Sequence, residues 1–297
     1  MDSREKSPET VAQVLMEALP YIQSFYAQTI LVKYGGAAMT TPELKEAFIK
    51  DVVLMHYVGI RPVVVHGGGP EVSEMMKRLG KEARFVDGLR VTDQETVDIV
   101  QMVLKGRVLQ DLVATVNAAG GRAVGLSGKD GCLFTIKKLT APTGKKPEES
   151  VDYGFVGEVD SVDPRILEVL ESGGFIPVIS PLGMDVNGAT YNVNADSVAG
   201  ALAAALKANK LVILTDTPGI LRDPKDPDSL IQTLCFGEVA KLLEEGVIAG
   251  GMIPKVRACE QALRAGVEKV HIIDGRVPHA LLLETFTDQG VGTEIVA

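Results

Sequence analysis

Val63-Val64-Val65-His66-Gly67-Gly68-Gly69-Pro70 reads as a strand that runs into a bare turn and out into a helix. Three β-branched residues in a row suit a strand buried on both faces. The glycines carry no side chain, and proline is at home in the first position of a helix. Backbone N–H groups in such a turn can approach an anion closely, and the dipole of the following helix favours negative charge. Tight turning alone would also account for three glycines. The same device stands earlier, in Ile30-Leu31-Val32-Lys33-Tyr34-Gly35-Gly36, with a lysine just ahead of the glycines. Two such turns, one with a cation, lead us to expect a phosphate-bearing ligand gripped from two sides.

Around these turns strand and helix patterns alternate. Thr41 is a fitting N-cap and Pro42 a first residue for a helix over 43–58, which Gly59 closes before strand 62–65. Helix 70–79 ends at Gly80, a short loop-and-strand region covers 85–92, and a long helical pattern spans 94–119. Strand 123–127 follows. Residues 128–162 turn polar and predict a hairpin, with a strand over 155–159 and a tip at 140–150 that could act as a lid or be plain solvated loop. Helices over 164–172, 195–208, 237–245, 254–265 and 278–287 then interleave with strands 175–180, 211–215, 270–273 and 293–296. Apolar strands alternating with helices predict an α/β three-layer αβα sandwich on a central, mainly parallel sheet. Ligands in such sheets bind beyond the carboxyl ends of the strands, where both glycine turns lie.

Ahead of the first strand, residues 8–26 show Val11, Val14, Leu15, Ala18, Leu19, Ile22 and Phe25 at helical spacing, with Pro20 expected to kink or interrupt the helix. Its apolar stripe needs a cover. The periodicity favours the chain's own body somewhat over another subunit.

Composition narrows the function class. A net charge of −9 disfavours nucleic acid and anionic membrane surfaces as partners. No apolar run is long enough to span a bilayer, and the N-terminus has no signal-peptide core. Cys132, Cys235 and Cys259 form no CxxC pair, which predicts reduced thiols in a cytoplasmic protein. The histidines lack metal-ligand spacing, so no protein-bound metal is expected. Gly128-Lys129-Asp130 is not a Walker A loop, neither glycine turn fits GxGxxG, and protein-kinase signatures are absent.

The cations sit at informative junctions. Lys33 precedes Gly35-Gly36, Lys255 follows Gly250-Gly251-Met252-Ile253-Pro254, and Arg90 lies in Asp87-Gly88-Leu89-Arg90. Each alone is an ordinary surface charge. Together they suit phosphoryl transfer, which needs cations against dispersed negative charge. In Tyr191-Asn192-Val193-Asn194-Ala195-Asp196-Ser197, Asn194 can cap a helix and Asp196 suits its dipole, or Asp196 pairs with two lysines. Asn192 has no such structural duty.

Assembled in this order, the motifs resemble the amino-acid kinase family, and within it the enzymes that phosphorylate N-acetylglutamate. The resemblance is carried by Val32-Lys33-Tyr34-Gly35-Gly36, the His66-to-Pro70 turn, Asp87-to-Thr92, Asn192-to-Asp196, Leu214-Thr215-Asp216 with Pro218-Gly219-Ile220-Leu221, and Gly250-to-Lys255. It implies transfer of the ATP γ-phosphate to the γ-carboxylate of N-acetyl-L-glutamate, a step of arginine biosynthesis. Lys33 and Lys255 would stabilise the transferring group and Asp196 would orient them. Gly68, Gly69, Arg90 and Asn192 would hold the amino-acid substrate. Gly35, Gly36, Thr215, Asp216, Gly219 and Leu221 would border the nucleotide, with Mg2+ on its phosphates. A carboxylate acceptor is already ionised at neutral pH, so alignment and charge neutralisation suffice and no general base is required.

The same resemblance implies an oligomerisation helix over 1–26, an amino-acid lobe over 27–190 and a nucleotide lobe over 191–297. The helix marks hexamers built as trimers of dimers and inhibited by L-arginine, with Tyr21, Lys210, His271, Glu284, Gly290 and Gly292 as candidate contacts. An idle arginine-binding regulator on the same fold is the competing reading; against it, Lys33, Asp196 and Lys255 are all present.

Overall fold

In the computed structural model the strand at the centre of the molecule, β1 (Thr29–Tyr34), alternates its side chains between two cores. Ile30 and Val32 join one, Leu31 the other. The structure describes residues 7–39, 41–86, 88–139, 152–287 and 290–296; the 140–150 hairpin tip, Asp87 and the first six residues lie outside them. No helix among the described residues is long and apolar enough to cross a membrane.

Following β1 are α2 (Pro42–Tyr57), β2 (Arg61–His66), α3 (Gly69–Arg78), and the short strands β3 (Phe85–Val86) and β4 (Leu89–Arg90). The expected long helix is α4 (Gln94–Gln101) and α5 (Leu109–Ala118), joined by a π-helical stretch Met102–Val108. Then come β5 (Ala123–Ser127), β6 (Phe134–Lys138), β7 (Val156–Val162), α6 (Arg165–Ser172), β8 (Ile176–Ser180), β9 (Leu182–Met184), β10 (Thr190–Val193), α7 (Ala195–Leu206) and β11 (Lys210–Thr215). The chain closes with β12 (Thr233–Cys235), α8 (Val239–Glu244), α9 (Met252–Arg264), β13 (Lys269–Asp274), α10 (Ala280–Phe286) and β14 (Gly292–Val296).

The main sheet has eight strands in the order β12-β14-β13-β11-β1-β2-β8-β5. Only the β13–β14 pairing is antiparallel, so the sheet is mainly parallel with helices on both faces. Strands from the first part of the chain make one half and strands from the last part the other, and they meet where β1 pairs with β11. At the rim, β10, β7, β6 and β9 close a small barrel. Sequence periodicity showed only its hairpin, because strands of three or four residues leave too few positions for alternation to register.

The N-terminal helix α1 (Pro8–Phe25) runs without interruption through Pro20, and Ser7 caps it. Its stripe meets the body only in part: Phe25 packs against the core, while Val14 and Leu15 stand 48% and 62% exposed and no residue of α1 is buried. Its half-buried residues Tyr21, Ile22 and Phe25 lie toward its C-terminal end, and α1 meets the body at α10.

Candidate active site

Lys33 falls two residues after Leu31 and so on the same face of β1, above the first turn of α7. Its Nζ lies 3.0 Å from Asp196 Oδ1. The other carboxylate oxygen, Oδ2, accepts a hydrogen bond from Lys255 Nζ at 3.1 Å. Lys255 stands in the first turn of α9. The side chains of Lys33 and Asp196 are 9% and 5% exposed, so the three charges share a nearly dry site. Burial alone would push the Asp196 carboxyl up, but the two ammonium groups outweigh it and hold the carboxyl below its ordinary range. One positive charge is therefore left over and faces the cleft.

Two neighbouring residues divide the labour. Asn194 Oδ1 caps α7, accepting from the N–H groups of Asp196 at 2.8 Å and Ser197 at 3.2 Å. The Asp196 side chain is thereby released from capping. α7 and α9 approach closely at Gly200, where a Cβ would stand 2.8 Å from the Ala258 carbonyl oxygen.

The two glycine turns touch. Gly67 N–H donates to the Tyr34 carbonyl at 2.7 Å, and a Cβ on Gly35 would lie 3.4 Å from Gly67 Cα. Gly68 precedes α3 with φ +145, a conformation L side chains rarely adopt, and a Cβ there would strike Leu104 at 2.5 Å. Arg90 is buried beside this turn: Nη2 donates to the Gly69 carbonyl at 2.9 Å and to Ser73 Oγ at 2.8 Å, and the guanidinium lies over the Phe85 ring. Among the described residues no carboxylate pairs with it, and burial lowers its pKa. Asn192 comes from the barrel. Its N–H donates to Phe155, whose own N–H donates to Thr92, two residues from Arg90. No hydrogen bond engages the Asn192 side-chain amide among the described residues.

Beside the lysines opens a cavity of about 520 Å³, a size suited to a small cofactor. Lys33, Gly36, Thr215, Asp216, Gly219, Leu221 and Lys255 line it. Of the expected nucleotide contacts only Gly35 does not; it sits against Lys33 and Gly67 instead. Thr217, Pro224, Gly246 and Val247 also line the cavity and were not singled out from sequence. They lie in loops that carry no periodic signal. Among the described residues no trio of His, Cys, Asp or Glu forms a metal cage.

A second cavity, of about 740 Å³, opens at the other end of β11 and β13. Tyr21, Lys210, His271, Glu284, Gly290 and Gly292 all line it, together with Phe25 of the α1 stripe and residues the sequence did not mark, among them Gln232 and Lys269. Glu284 Oε1 lies 3.0 Å from Lys210 Nζ and 2.8 Å from His271 Nδ1. Burial alone would push the Glu284 carboxyl up; the His271 hydrogen bond and the Lys210 charge hold it below its ordinary range. Its second oxygen, Oε2, is buried without a partner.

The amino acid kinase family matches this chain over residues 28–274. Acetylglutamate kinase of Moorella thermoacetica is 55% identical over 291 residues, covering 98% of both chains. That of Synechocystis is 56% identical over 288 residues, covering 97% of this chain and 94% of the relative. Among solved structures, N-acetylglutamate synthase from Neisseria gonorrhoeae, complexed with coenzyme A and N-acetyl-glutamate, superposes with a TM-score of 0.81 at 28% identity. The match covers 96% of this chain and 63% of the synthase. A second structure of that synthase, with coenzyme A and L-arginine, gives 0.76 at 27% identity and covers 65% of the synthase. Carbamate kinase from Giardia lamblia, bound to AMP-PNP, shares the fold at a TM-score of 0.62 and 17% identity. The chain belongs to the amino acid kinase family, in its acetylglutamate kinase branch.

Proposed function

We propose that the chain transfers the γ-phosphate of ATP to the γ-carboxylate of N-acetyl-L-glutamate, giving N-acetyl-L-glutamyl 5-phosphate and ADP. The observation that carries this is the Lys33–Asp196–Lys255 triad, with one surplus positive charge, between two glycine turns and a nucleotide-sized cavity. A carboxylate oxygen attacks the γ-phosphorus, the bond to the β–γ bridging oxygen breaks, and the electron pair leaves with ADP. No proton moves. Lys33 and Lys255 neutralise charge on the transferring group, and Asp196 fixes them. Gly68 and Gly69 present backbone N–H groups, Arg90 takes the α-carboxylate and Asn192 the remaining polar groups of the acceptor. Gly35, Gly36, Thr215, Asp216, Gly219 and Leu221 border the nucleotide, and Mg2+ enters with its phosphates.

The amino-acid lobe spans 27–190 and the nucleotide lobe 191–297. The stripe of α1 lies open to a second copy, and we assign α1 to a hexamer built as a trimer of dimers. L-arginine binds the second cavity and inhibits, with its cation on Glu284. The free thiols Cys132, Cys235 and Cys259 fit a reducing compartment, the cytoplasm.

The test is ATP-dependent acyl-phosphate formation trapped with hydroxylamine, with N-acetylglutamate, glutamate and aspartate as acceptors. Selective turnover of N-acetylglutamate is expected. Folded protein that turns over none of the three would be an idle regulator.

A further inference from the structure

His66 ends β2 immediately before the glycine triplet and is wholly buried. Its Nδ1 lies 2.6 Å from the carbonyl oxygen of Gly67. A carbonyl only accepts, so Nδ1 carries the proton. Gly67 is then pinned at both ends, its N–H on the Tyr34 carbonyl and its C=O on the imidazole. The peptide between Gly67 and Gly68 is trans, so its N–H points opposite to its C=O. With the carbonyl tied to the ring, the Gly68 N–H is turned away from the core, and none of the described residues outside the helix ladder accepts it.

Burial lowers the imidazole pKa to about 4, with the Gly67 hydrogen bond acting the other way. The ring is thus neutral at working pH, with Nε2 bare and without a partner. A charged ring would place an unpaired cation in the core. A neutral ring with a fixed tautomer supplies one directed donor and nothing else.

We propose that His66 is a positioning residue for phosphoryl transfer: its Nδ1–H holds the Gly67–Gly68 peptide so that the Gly68 N–H is aimed at the transferring group. The proposal rests on the reading of the glycine triplet as part of the kinase site.

Asparagine and glutamine separate donation from packing. The amide nitrogen of His66→Asn overlays the Nδ1 position, and that of His66→Gln the Nε2 position. His66→Leu removes the donor and keeps most of the bulk. Losing an aimed backbone donor costs about 10²-fold in kcat. We expect that loss in His66→Leu and His66→Gln, with KM for ATP within about twofold of wild type. His66→Asn is expected to recover to within about tenfold. Should His66→Leu not fold, the Asn–Gln contrast carries the test alone. Imidazole 15N NMR of the wild type should show a protonated Nδ1 and a bare Nε2 across the neutral range. Asn and Gln variants that fold equally and have equal kcat would overturn the proposal, as would a protonated Nε2. Wild-type protein without acetylglutamate phosphorylation would instead sink the kinase reading on which it rests.

Discussion

At the scale of single residues, one carboxylate is held between two cations, and the proposed chemistry depends on it. Asp196→Asn keeps the shape and removes the charge. Two ammonium groups then share a nearly dry site with nothing to balance them, which costs on the order of 3–5 kcal/mol of unfolding free energy. Turnover should fall about 10²- to 10³-fold. Adding Lys255→Met to Asp196→Asn should restore part of the stability, measured by denaturant unfolding, and none of the activity. A destabilisation below about 1 kcal/mol would show that the lysines do not need the carboxylate. His66 gives a pH signature. Its folded pKa of about 4 lies below the ordinary histidine value, so between about pH 6.5 and 4 the unfolded chain binds more protons. Stability from this group is present above that window and is lost as pH falls through it, by about 1.4 kcal/mol per unit and about 3 kcal/mol in all. Asp51, raised to about 6 by burial against the opposing His279 hydrogen bond, acts with the opposite sign. The quantity to measure is therefore the difference between wild type and His66→Asn. A flat difference across the window would contradict the buried, neutral ring.

At the scale of elements, α7 carries Asp196, α9 carries Lys255, and their spacing is set at Gly200. A methyl group there would stand 2.8 Å from the Ala258 carbonyl oxygen and 3.0 Å from its Cα, both backbone atoms that cannot swing away. Gly200→Ala should push α9 outward by a few tenths of an ångström and lengthen the Lys255–Asp196 pair. We expect about 1–3 kcal/mol of destabilisation and about a tenfold loss in kcat, although the residue touches no substrate. Equal kcat in the folded variant would mean that the helices do not set the ion-pair distance. This control was invisible in the sequence, where Gly200 is one small residue in an alanine-rich run. Elements with strong local grammar were legible: strands β1 and β2 with their glycine turns, the Thr41 and Asn194 caps, and the α/β alternation. Asp196 was only half legible, because a carboxylate in a first turn is fully explained by the helix dipole until the lysines are placed beside it. The barrel strands β9 and β10 were not legible, since hydrogen bonds between distant short segments create them and no periodicity within either segment announces them.

At the scale of the whole molecule, the two cavities occupy opposite ends of the same strands. β11 begins with Lys210 at the second cavity and ends with Thr215 at the first, a span of about 17 Å at strand rise. β13 likewise brings His271 to one cavity and ends with Asp274 on the rung beside Thr215. On the proposed reading, a ligand that shifts α10 through Glu284 pushes on paired strands, of which β11 ends at the first cavity. α1 closes the second cavity with Tyr21 and Phe25 while none of its residues is buried. Deleting residues 1–26 removes Phe25 from the edge of the core but no buried residue, and the body should keep its fold. We expect the truncated chain to phosphorylate N-acetylglutamate at near wild-type kcat, to sediment as a smaller assembly, and to lose inhibition by arginine. Glu284→Gln should weaken inhibition with the assembly intact, because it removes the buried carboxylate of the cavity and leaves Glu294, which already pairs with Lys269. Coupling between binding sites is reciprocal: under the proposed regulation, the factor by which arginine would weaken substrate binding, about 5- to 150-fold for ordinary allostery, must equal the factor by which substrate would weaken arginine binding. Calorimetric titration of arginine with and without substrate measures one factor, and substrate titration with and without arginine measures the other. Truncated protein that still sediments as the full assembly and is still inhibited would remove α1 from both roles and return the second cavity to a structural feature of the C-terminal half.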